Sequence, residues 1–231
     1  MISEKLSQAL EEAKKTKDFL EISDDFLVKL IQSALSFDNP SLKEEDVVKV
    51  LKGDVVGVNP DKVRNILNQR NAFMKVLNMV KEKQELDENT VKDLHQILCE
   101  GNSEEIGGLY RRVNISVKGS NHTPCSYEKV YDRMDKYFVF MQDGPKGDLW
   151  EYISYLHLQL AKIHPFLDGN GRLARLVLNY ELMKYGFMPI IITSEQKDKY
   201  FSTLEAFKVE KDIKPFMDFL EELELNSLSA Y

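Results

Sequence analysis

Apolar residues recur every three or four positions along most of the chain, which is the spacing of one face of an α-helix. Leu6, Leu10 and Ala13 show this spacing first, within a charged segment at 4–20. Asp24 or Asp25 is expected to cap the next helix. The same period predicts helices over these further segments: 24–35, 44–51, 60–83, 88–100, 127–142, 149–163, 169–185, 194–208 and 212–225. The pattern therefore predicts an all-α protein.

One segment, Leu109–Lys118, breaks the helical period. In it Val113, Ile115 and Val117 alternate with polar residues. A period of two is typical of a β-strand with one buried face. Because the segment is short and isolated, we predict a small β-hairpin on a helical body, followed by an irregular loop at 119–124.

Composition and charge limit the classes of protein to which the chain can belong. The chain has 231 residues with a formal net charge of −7, from 31 basic and 38 acidic residues. The acidic balance argues against non-specific nucleic-acid binding, which needs a basic surface. The apolar stretch at 190–192 is too short to cross a membrane. A chain of this length can bury one large core, and we predict a helical extension at 1–60 on a main domain at 61–231.

The cysteines and the N-terminus indicate a compartment. Cys99 and Cys125 are far apart in sequence and belong to no Cys/His cluster, so a disulfide framework and a structural zinc site are not expected. Reduced thiols are typical of the cytoplasm. The N-terminal residues are charged and do not resemble a signal peptide. We therefore expect a cytoplasmic protein.

The densest cluster of reactive residue types lies between His164 and Arg175. Pro165 disfavours helical backbone at the residue before it, so His164 should end a helix at a loop, where it can act as a base. Gly169 and Gly171 permit close backbone approach to a ligand and precede a helix whose first N–H groups form an anion site. The pattern predicts a histidine base beside an anion-binding turn.

Charged residues complete this cluster. Arg172 and Arg175 are three residues apart and share a helical face, near an N-terminus where the helix dipole disfavours cations. We infer that an anion normally lies between them and the N–H groups. Asp168 offers the single carboxylate that Mg²⁺ uses together with phosphate oxygens. These residue types together are typical of phosphoryl or nucleotidyl transfer.

Two other nucleotide-binding patterns are excluded. The spacing from Gly169 to Ala174 fits the loose dinucleotide fingerprint G-x-G-x-x-A, but that fingerprint follows a buried strand, and the residues before it here have helical period. The chain also lacks the P-loop sequence G-x-x-x-x-G-K-S/T. The predicted anion site is therefore of another type.

The segment His164–Arg175 resembles the complete Fic-family motif, H-x-F-x-D/E-G-N-G-R-x-x-R, without departure. The segments 94–101, 108–118 and 180–189 are similar to the parts of the family that surround the motif, so the resemblance covers about 63–219. It implies a Fic-type helical bundle with a small β-hairpin flap. It also implies a protein adenylyltransferase, which transfers AMP from ATP to a Ser, Thr or Tyr hydroxyl of a target protein.

The resemblance assigns roles to individual residues. His164 would be the base that deprotonates the target hydroxyl, Asp168 would hold Mg²⁺ or Mn²⁺, and Phe166 would be a hydrophobic anchor. The nucleotide and its phosphates would be bound by Gly169, Asn170, Gly171, Arg172, Arg175 and Tyr200. The target protein would pair, by β-strand addition, with the flap residues Val113, Asn114, Ile115, Ser116 and Val117.

The segment Ile31–Val47 resembles the inhibitory helix that many Fic proteins carry, with the pattern S/T-x-x-x-E-G/N. In that pattern the glutamate pairs with the second motif arginine and blocks productive ATP binding. Here Asp38 stands where glutamate is expected, and Ser33 lies one place early. Asp38 is one methylene shorter than glutamate, so we expect inhibition through Arg175 to be weakened, shifted or lost. A simple turn at 38–40 is the alternative.

Several alternatives stay open at this level. The same site could remove AMP from a modified protein, transfer UMP, phosphate or phosphocholine, or sense a nucleotide without turnover. The flap could be a self-contained hairpin, and Tyr200 with Phe201 could be core aromatics. His95, His122 and His157 are isolated and expected in core or surface roles. The expected partners are ATP and a hydroxyl-bearing target protein, with no membrane and no nucleic acid. A homo-oligomer is left open.

Overall fold

The structure of the protein, a computed structural model, describes residues 2–102, 107–117 and 120–230. It is all-α, as predicted, and these residues contain no β-strand. The α-helices are α1 Glu4–Ala13, α2 Asp24–Ser36, α3 Glu44–Leu51, α4 Pro60–Lys81, α5 Glu88–Leu98, α6 Val130–Asp143, α7 Leu149–Ile163, α8 Asn170–Lys184, α9 Lys197–Glu205 and α10 Lys214–Ala230. Short 3-10 turns precede α6 and α9, and a π-helical turn, Ala206–Glu210, follows α9.

Helix α8 lies in the middle of the bundle. It packs against α4, α5 and α7. Its side chains Leu173, Val177 and Leu182 are completely buried, as is typical of a helix with neighbours on several sides. The motif residues at its N-terminus therefore lie on a rigid support. None of the described helices combines the length and the apolar character needed to cross a bilayer.

The N-terminal helices share the core of the remaining chain. Helix α1 packs on α10, and α2 packs on α3 and α4. Leu6, Phe26 and Val47, one from each of these helices, belong to the same hydrophobic cluster as α8. The division at residue 60 stays a prediction, although Pro60 does begin α4. The C-terminal end of α2 is brought beside the motif arginines.

Several helix ends differ from the sequence-based expectation. Helix α1 ends at Ala13 rather than near residue 20, because the following segment, Lys14–Lys17, has no apolar side chain to hold another turn against α10. The N-cap of α2 is Ser23, whose hydroxyl oxygen accepts a hydrogen bond from the Phe26 N–H at 3.1 Å. Asp24 and Asp25 instead occupy the first turn, where acidic side chains favour the helix dipole.

The described residues do not contain the predicted β-hairpin, so this prediction was wrong. Residues 113–117 are irregular or extended and pair with no strand in the described chain, and Lys118 lies outside the described residues. A β-strand needs a neighbouring strand for its backbone hydrogen bonds. The segment that follows residues 113–117 could supply that strand, but it makes other contacts. Ser120 and Asn121 donate to the carboxylate of Glu205, both at 2.8 Å. His122 contacts the Lys162 carbonyl oxygen at 3.3 Å.

Candidate active site

His164 ends helix α7 and faces a cavity of about 570 Å³. Its backbone is left-handed, with φ 53°, and its N–H donates to the Leu160 carbonyl at 3.1 Å. The predicted helix stop before Pro165 is thus confirmed. The His164 Nδ1 atom lies 3.3 Å from the Ala161 carbonyl oxygen. Because a carbonyl only accepts, Nδ1 carries the proton and Nε2 keeps the lone pair that a base needs.

The surroundings of His164 keep its imidazole neutral. Burial, together with the positive charges of Lys208 and Arg111, lowers its pKa to about 4, although the hydrogen bond to Ala161 and the charge of Asp168 oppose this change. Lys208 is itself buried, lines the same cavity and lies in the π-helical turn. At neutral pH the imidazole is therefore the unprotonated form that general-base chemistry requires.

Arg111 ties the His164 loop to the flap segment. Its Nε donates to the His164 carbonyl at 2.9 Å, Nη1 to the Val113 carbonyl at 3.0 Å and Nη2 to the Cys125 carbonyl at 2.5 Å. Its own N–H donates to the Pro165 carbonyl at 2.9 Å. One buried guanidinium thus fixes the loop of the base and both ends of segment 113–125. The sequence places Arg111 beside the flap but gives no sign of this role.

His95 shapes the turn that begins the anion site. Its ring stacks on Phe166, with centroids 3.7 Å apart and planes at 10°. The Gly108 N–H donates to Nδ1 at 2.9 Å, so Nε2 carries the proton and donates to the Asp168 carbonyl oxygen at 2.9 Å. Burial lowers the pKa of His95 to about 4. His95 is a core residue, as expected, but one that positions the turn at Gly169.

The turn itself is held from inside by Asn170. Its side-chain oxygen accepts from the Phe166 N–H at 2.9 Å, and its amide donates to the Phe166 carbonyl at 2.9 Å. The amide also approaches the Asp168 carbonyl oxygen at 3.3 Å. Asn170 is buried. In this structure its side chain therefore maintains the loop, and the backbone N–H is the part that can serve the anion site.

Gly169 and Gly171 lie at the start of a helix, as the sequence predicts. Gly169 has φ 70° and directly precedes α8. A Cβ at Gly171 would lie 3.4 Å from Nη1 of Arg175, so the turn and the guanidinium are close neighbours. Since the first N–H groups of a helix lack intrahelical partners, this turn presents donors next to a cation.

The motif arginines are partly buried cations, and each has a buried Nε atom without a hydrogen-bond partner in the described residues. The Nη1 atom of Arg172 lies 3.5 Å from the Leu98 carbonyl oxygen, and Nη2 lies 3.8 Å from the carboxylate of Asp168. Arg175 donates from Nη2 to the Ala34 carbonyl at 3.0 Å. The Nε atoms of both arginines are buried without a hydrogen-bond partner in the described residues. Unpaired buried donors of this kind indicate a site for an anion.

Tyr200 supports Arg175 from the side of α9. His157 Nδ1 lies 3.0 Å from the Ala174 carbonyl oxygen and therefore carries the proton. Its Nε2 accepts from the Tyr200 hydroxyl at 3.0 Å. The phenolic oxygen is then left to accept a hydrogen bond from Arg175. Tyr200 is fully buried beside Arg175, whereas 44% of Phe201 is exposed, so Phe201 presents the open aromatic surface on this side of the cavity.

Asp38 lies at the rim of the same cavity but does not contact Arg175 directly. Its side chain is exposed and its charge is near enough to oppose the lowering of the pKa of Arg175 by burial. The direct contacts of the guanidinium are with the Ala34 carbonyl, the Phe37 ring and Tyr200. The residue of the inhibitory-helix-like segment that covers Arg175 is thus Phe37, which the sequence did not identify.

Asp168 lies at the edge of the cavity. Its side chain is 71% exposed and lines the cavity. In the described part of the chain, no three His, Cys, Asp or Glu residues group as a metal site. A cation here would therefore depend on one carboxylate together with phosphate oxygens and water, which is how proteins usually hold Mg²⁺.

Most of the predicted site residues are brought together. His164, Asp168, the glycine turn, both arginines, Tyr200 and Asp38 line this one cavity, with Ser116 and Val117 of the flap at its edge. Val113, Asn114 and Ile115 lie outside the lining.

The comparisons with known proteins agree with this geometry. The Fic/DOC family model matches residues 85–182. The protein adenylyltransferase Fic of Drosophila persimilis is 31% identical over 180 residues, which are 77% of this chain and 35% of that protein. The chain thus spans about a third of the length of this relative.

Solved structures show the same fold. A Fic-domain-containing signaling protein from Bacteroides thetaiotaomicron has a TM-score of 0.82 at 22% identity, over 97% of this chain and 93% of that one. A Fic domain of a VirB-translocated effector protein from Bartonella quintana, solved with bound ADP, has a TM-score of 0.51 at 16% identity, over 76% and 92% of the two chains. The chain therefore carries a Fic/DOC-family domain at residues 85–182.

Proposed function

We propose that the protein is a protein adenylyltransferase, which transfers AMP from ATP to a Ser, Thr or Tyr hydroxyl of a target protein. The observation that carries the proposal is one cavity that holds a neutral histidine beside two partly buried arginines, whose buried Nε atoms have no partner in the described residues. The relatives that carry the adenylyltransferase name and the ADP held by a protein of the same fold support it.

Each residue of the site would have its own role in the reaction. Nε2 of His164 would take the proton of the target hydroxyl as its oxygen attacks the α-phosphorus of ATP. The bond between the α-phosphorus and the bridging oxygen would break, and pyrophosphate would leave. Arg172, Arg175 and the N–H groups of the turn at 169–171 would stabilise the negative charge on the phosphates, because fixed donors in a buried site need no reorganisation.

We propose Mg²⁺ or Mn²⁺ as the companion of ATP. The exposed carboxylate of Asp168 fits such an ion, since it is a hard oxygen donor at the edge of the phosphate site. The bound ion would neutralise charge on the phosphates. Arg172, whose Nη2 lies 3.8 Å from the same carboxylate, would hold Asp168 in place.

For the target protein, we propose docking along the flap segment 113–117. These residues pair with no strand in the described chain, and half of the Val113 side chain is exposed. An unpaired extended segment can add a strand from a partner through main-chain hydrogen bonds. Asn114 steadies it by accepting from the Tyr127 N–H at 3.0 Å. The docked hydroxyl would then face the cavity beside Ser116 and Val117.

Asp38 remains our candidate for regulation, with a refined expectation. Its carboxylate is exposed and makes no ion pair with Arg175 in the described contacts. We propose that the native aspartate inhibits weakly and that a side chain one methylene longer would inhibit strongly.

The proposal is tested by labelling the protein with two forms of ATP. We expect ATP labelled in the α-phosphate to label a target protein or the chain itself, and ATP labelled in the γ-phosphate to leave both unlabelled. His164→Ala should abolish labelling, because loss of a positioned base costs about 10²–10⁴-fold in rate. His122→Ala is the matched control, since His122 does not line the cavity. Transfer of the γ-label would contradict AMP transfer.

A further inference from the structure

Phe37, the residue after α2, covers the second motif arginine. The centroid of its ring lies 4.4 Å from Cζ of Arg175. The ring also meets Tyr200 and Phe201 edge-on, with centroids 6.0 Å and 5.9 Å away. Only 9% of Phe37 is exposed. A buried guanidinium over an aromatic ring is a favourable cation–π pair, and it is strongest where water is excluded.

The backbone around Phe37 is fixed as well. Lys197, in the first turn of α9, donates from Nζ to the Phe37 carbonyl at 2.8 Å. The Ala34 carbonyl accepts from Nη2 of Arg175 at 3.0 Å. The C-terminal end of α2 is therefore anchored to α9 on one side and to α8 on the other. The backbone that carries the Phe37 ring is thus held beside Arg175.

The choice of an aromatic ring at this position has a chemical consequence. A carboxylate paired with Arg175 would occupy two of its N–H groups. A ring occupies none, because it interacts with the charge and not with individual donors. The Nε atom of Arg175 has no partner in the described residues, and Nη1 lies beside Gly171 at the anion turn. The ring thus leaves both donor atoms without a competing carboxylate.

We infer that Phe37 is a positioning residue for nucleotide binding: it holds the Arg175 guanidinium oriented toward the phosphates, so that α2 supports ATP binding here. This inference rests on the proposed function, because it takes the anion at Arg175 to be a nucleotide phosphate. The opposing possibility is that the ring is a lid, which the phosphate must displace. The two differ in the sign of the effect when the ring is removed.

The test measures ATP affinity by titration calorimetry, together with kcat and KM for AMP transfer. Phe37→Leu keeps an apolar side chain but removes the π-face. We expect it to weaken ATP binding about tenfold and to raise KM by a similar factor. The kcat should change little, because none of the described contacts of Phe37 is with His164. Phe37→Tyr keeps the ring and should restore binding.

Two further variants sharpen the test. Phe26→Leu, on the same helix, removes a buried ring that packs on Phe73 and not on Arg175. It should lower the unfolding temperature and leave ATP affinity unchanged. Phe37→Glu would place a carboxylate at Arg175 and should abolish ATP binding.

The outcomes separate the two claims. Tighter ATP binding by Phe37→Leu than by the native chain would overturn the inference in favour of a lid. Equal binding would overturn it as well. If the native chain and every variant fail to bind ATP, the proposed function is wrong and the inference falls with it.

Discussion

Arg111→Lys tests whether one buried guanidinium braces the active site. The native side chain donates to three carbonyl oxygens, at 2.9, 3.0 and 2.5 Å, and only 4% of the residue is exposed. Lysine keeps the charge but, as a point donor, cannot bridge carbonyls in three directions. We expect at least two of the three contacts to be lost. At about 1.5–3 kcal/mol for a hydrogen bond to a charged group, the unfolding free energy should fall by about 3 kcal/mol.

The same variant should slow AMP transfer. Because the Arg111 side chain holds the His164 carbonyl, the loss of this hydrogen bond lets the base move, and a misplacement of about 1 Å costs about 10²-fold in rate. The KM for ATP should change little, since Arg111 has no described contact with the arginines of the phosphate site.

Denaturant unfolding and the transfer rate with labelled ATP measure both effects. Arg112→Lys is the matched control, because Arg112 is the next residue, of the same type, and exposed. If Arg111→Lys and Arg112→Lys have the same unfolding midpoint and the same rate, Arg111 does not brace the site and the reasoning is refuted.

Four further predictions concern charged groups. Lys208→Met removes a positive charge that lowers the pKa of His164, so the fall of the transfer rate at acid pH should begin at higher pH; an unchanged pH–rate profile would contradict this. Asp38→Gly should leave AMP transfer nearly unchanged and Asp38→Glu should reduce it about tenfold or more, at 1.4 kcal/mol per decade; equal rates in both variants would remove the regulatory role. Asp168→Ala should raise the Mg²⁺ concentration needed for half-maximal transfer, and full activity in excess chelator would count against a metal role. Burial raises the pKa of Glu181 to about 7, so the folded state binds the proton more tightly than the unfolded chain. The folded state therefore loses stability as pH rises from about 4.5 through 7. Glu181→Gln should raise the unfolding temperature more at pH 8 than at pH 5.

The features that depend only on residues close together in the sequence could be predicted from it. The helices follow from local periodicity, and α4, α7 and α8 lie close to where the pattern predicts them. The chemistry of the segment His164–Arg175 is also local, because a helix stop, a glycine turn and two arginines on one helical face are set by twelve consecutive positions.

The supporting residues could not be predicted, because each acts across a long sequence separation. His95 meets the Asp168 carbonyl 73 residues later, and Arg175 meets the Ala34 carbonyl across 141 residues. No periodicity identifies such pairs. The hairpin failed for the same reason: alternation in 113–117 indicates an extended segment, but pairing depends on what the return segment contacts, and that segment is held by Glu205 and Arg111.

The central claim is that His164 acts as the base for AMP transfer in this cavity. It is tested most directly by mass spectrometry of the protein after incubation with ATP and Mg²⁺, with ATP affinity measured in parallel. The account predicts an added mass of one AMP on the native chain or its target, none with His164→Ala, and equal ATP affinity for both. Modification of His164→Ala at the native rate, or an added mass of one phosphate only, would contradict it.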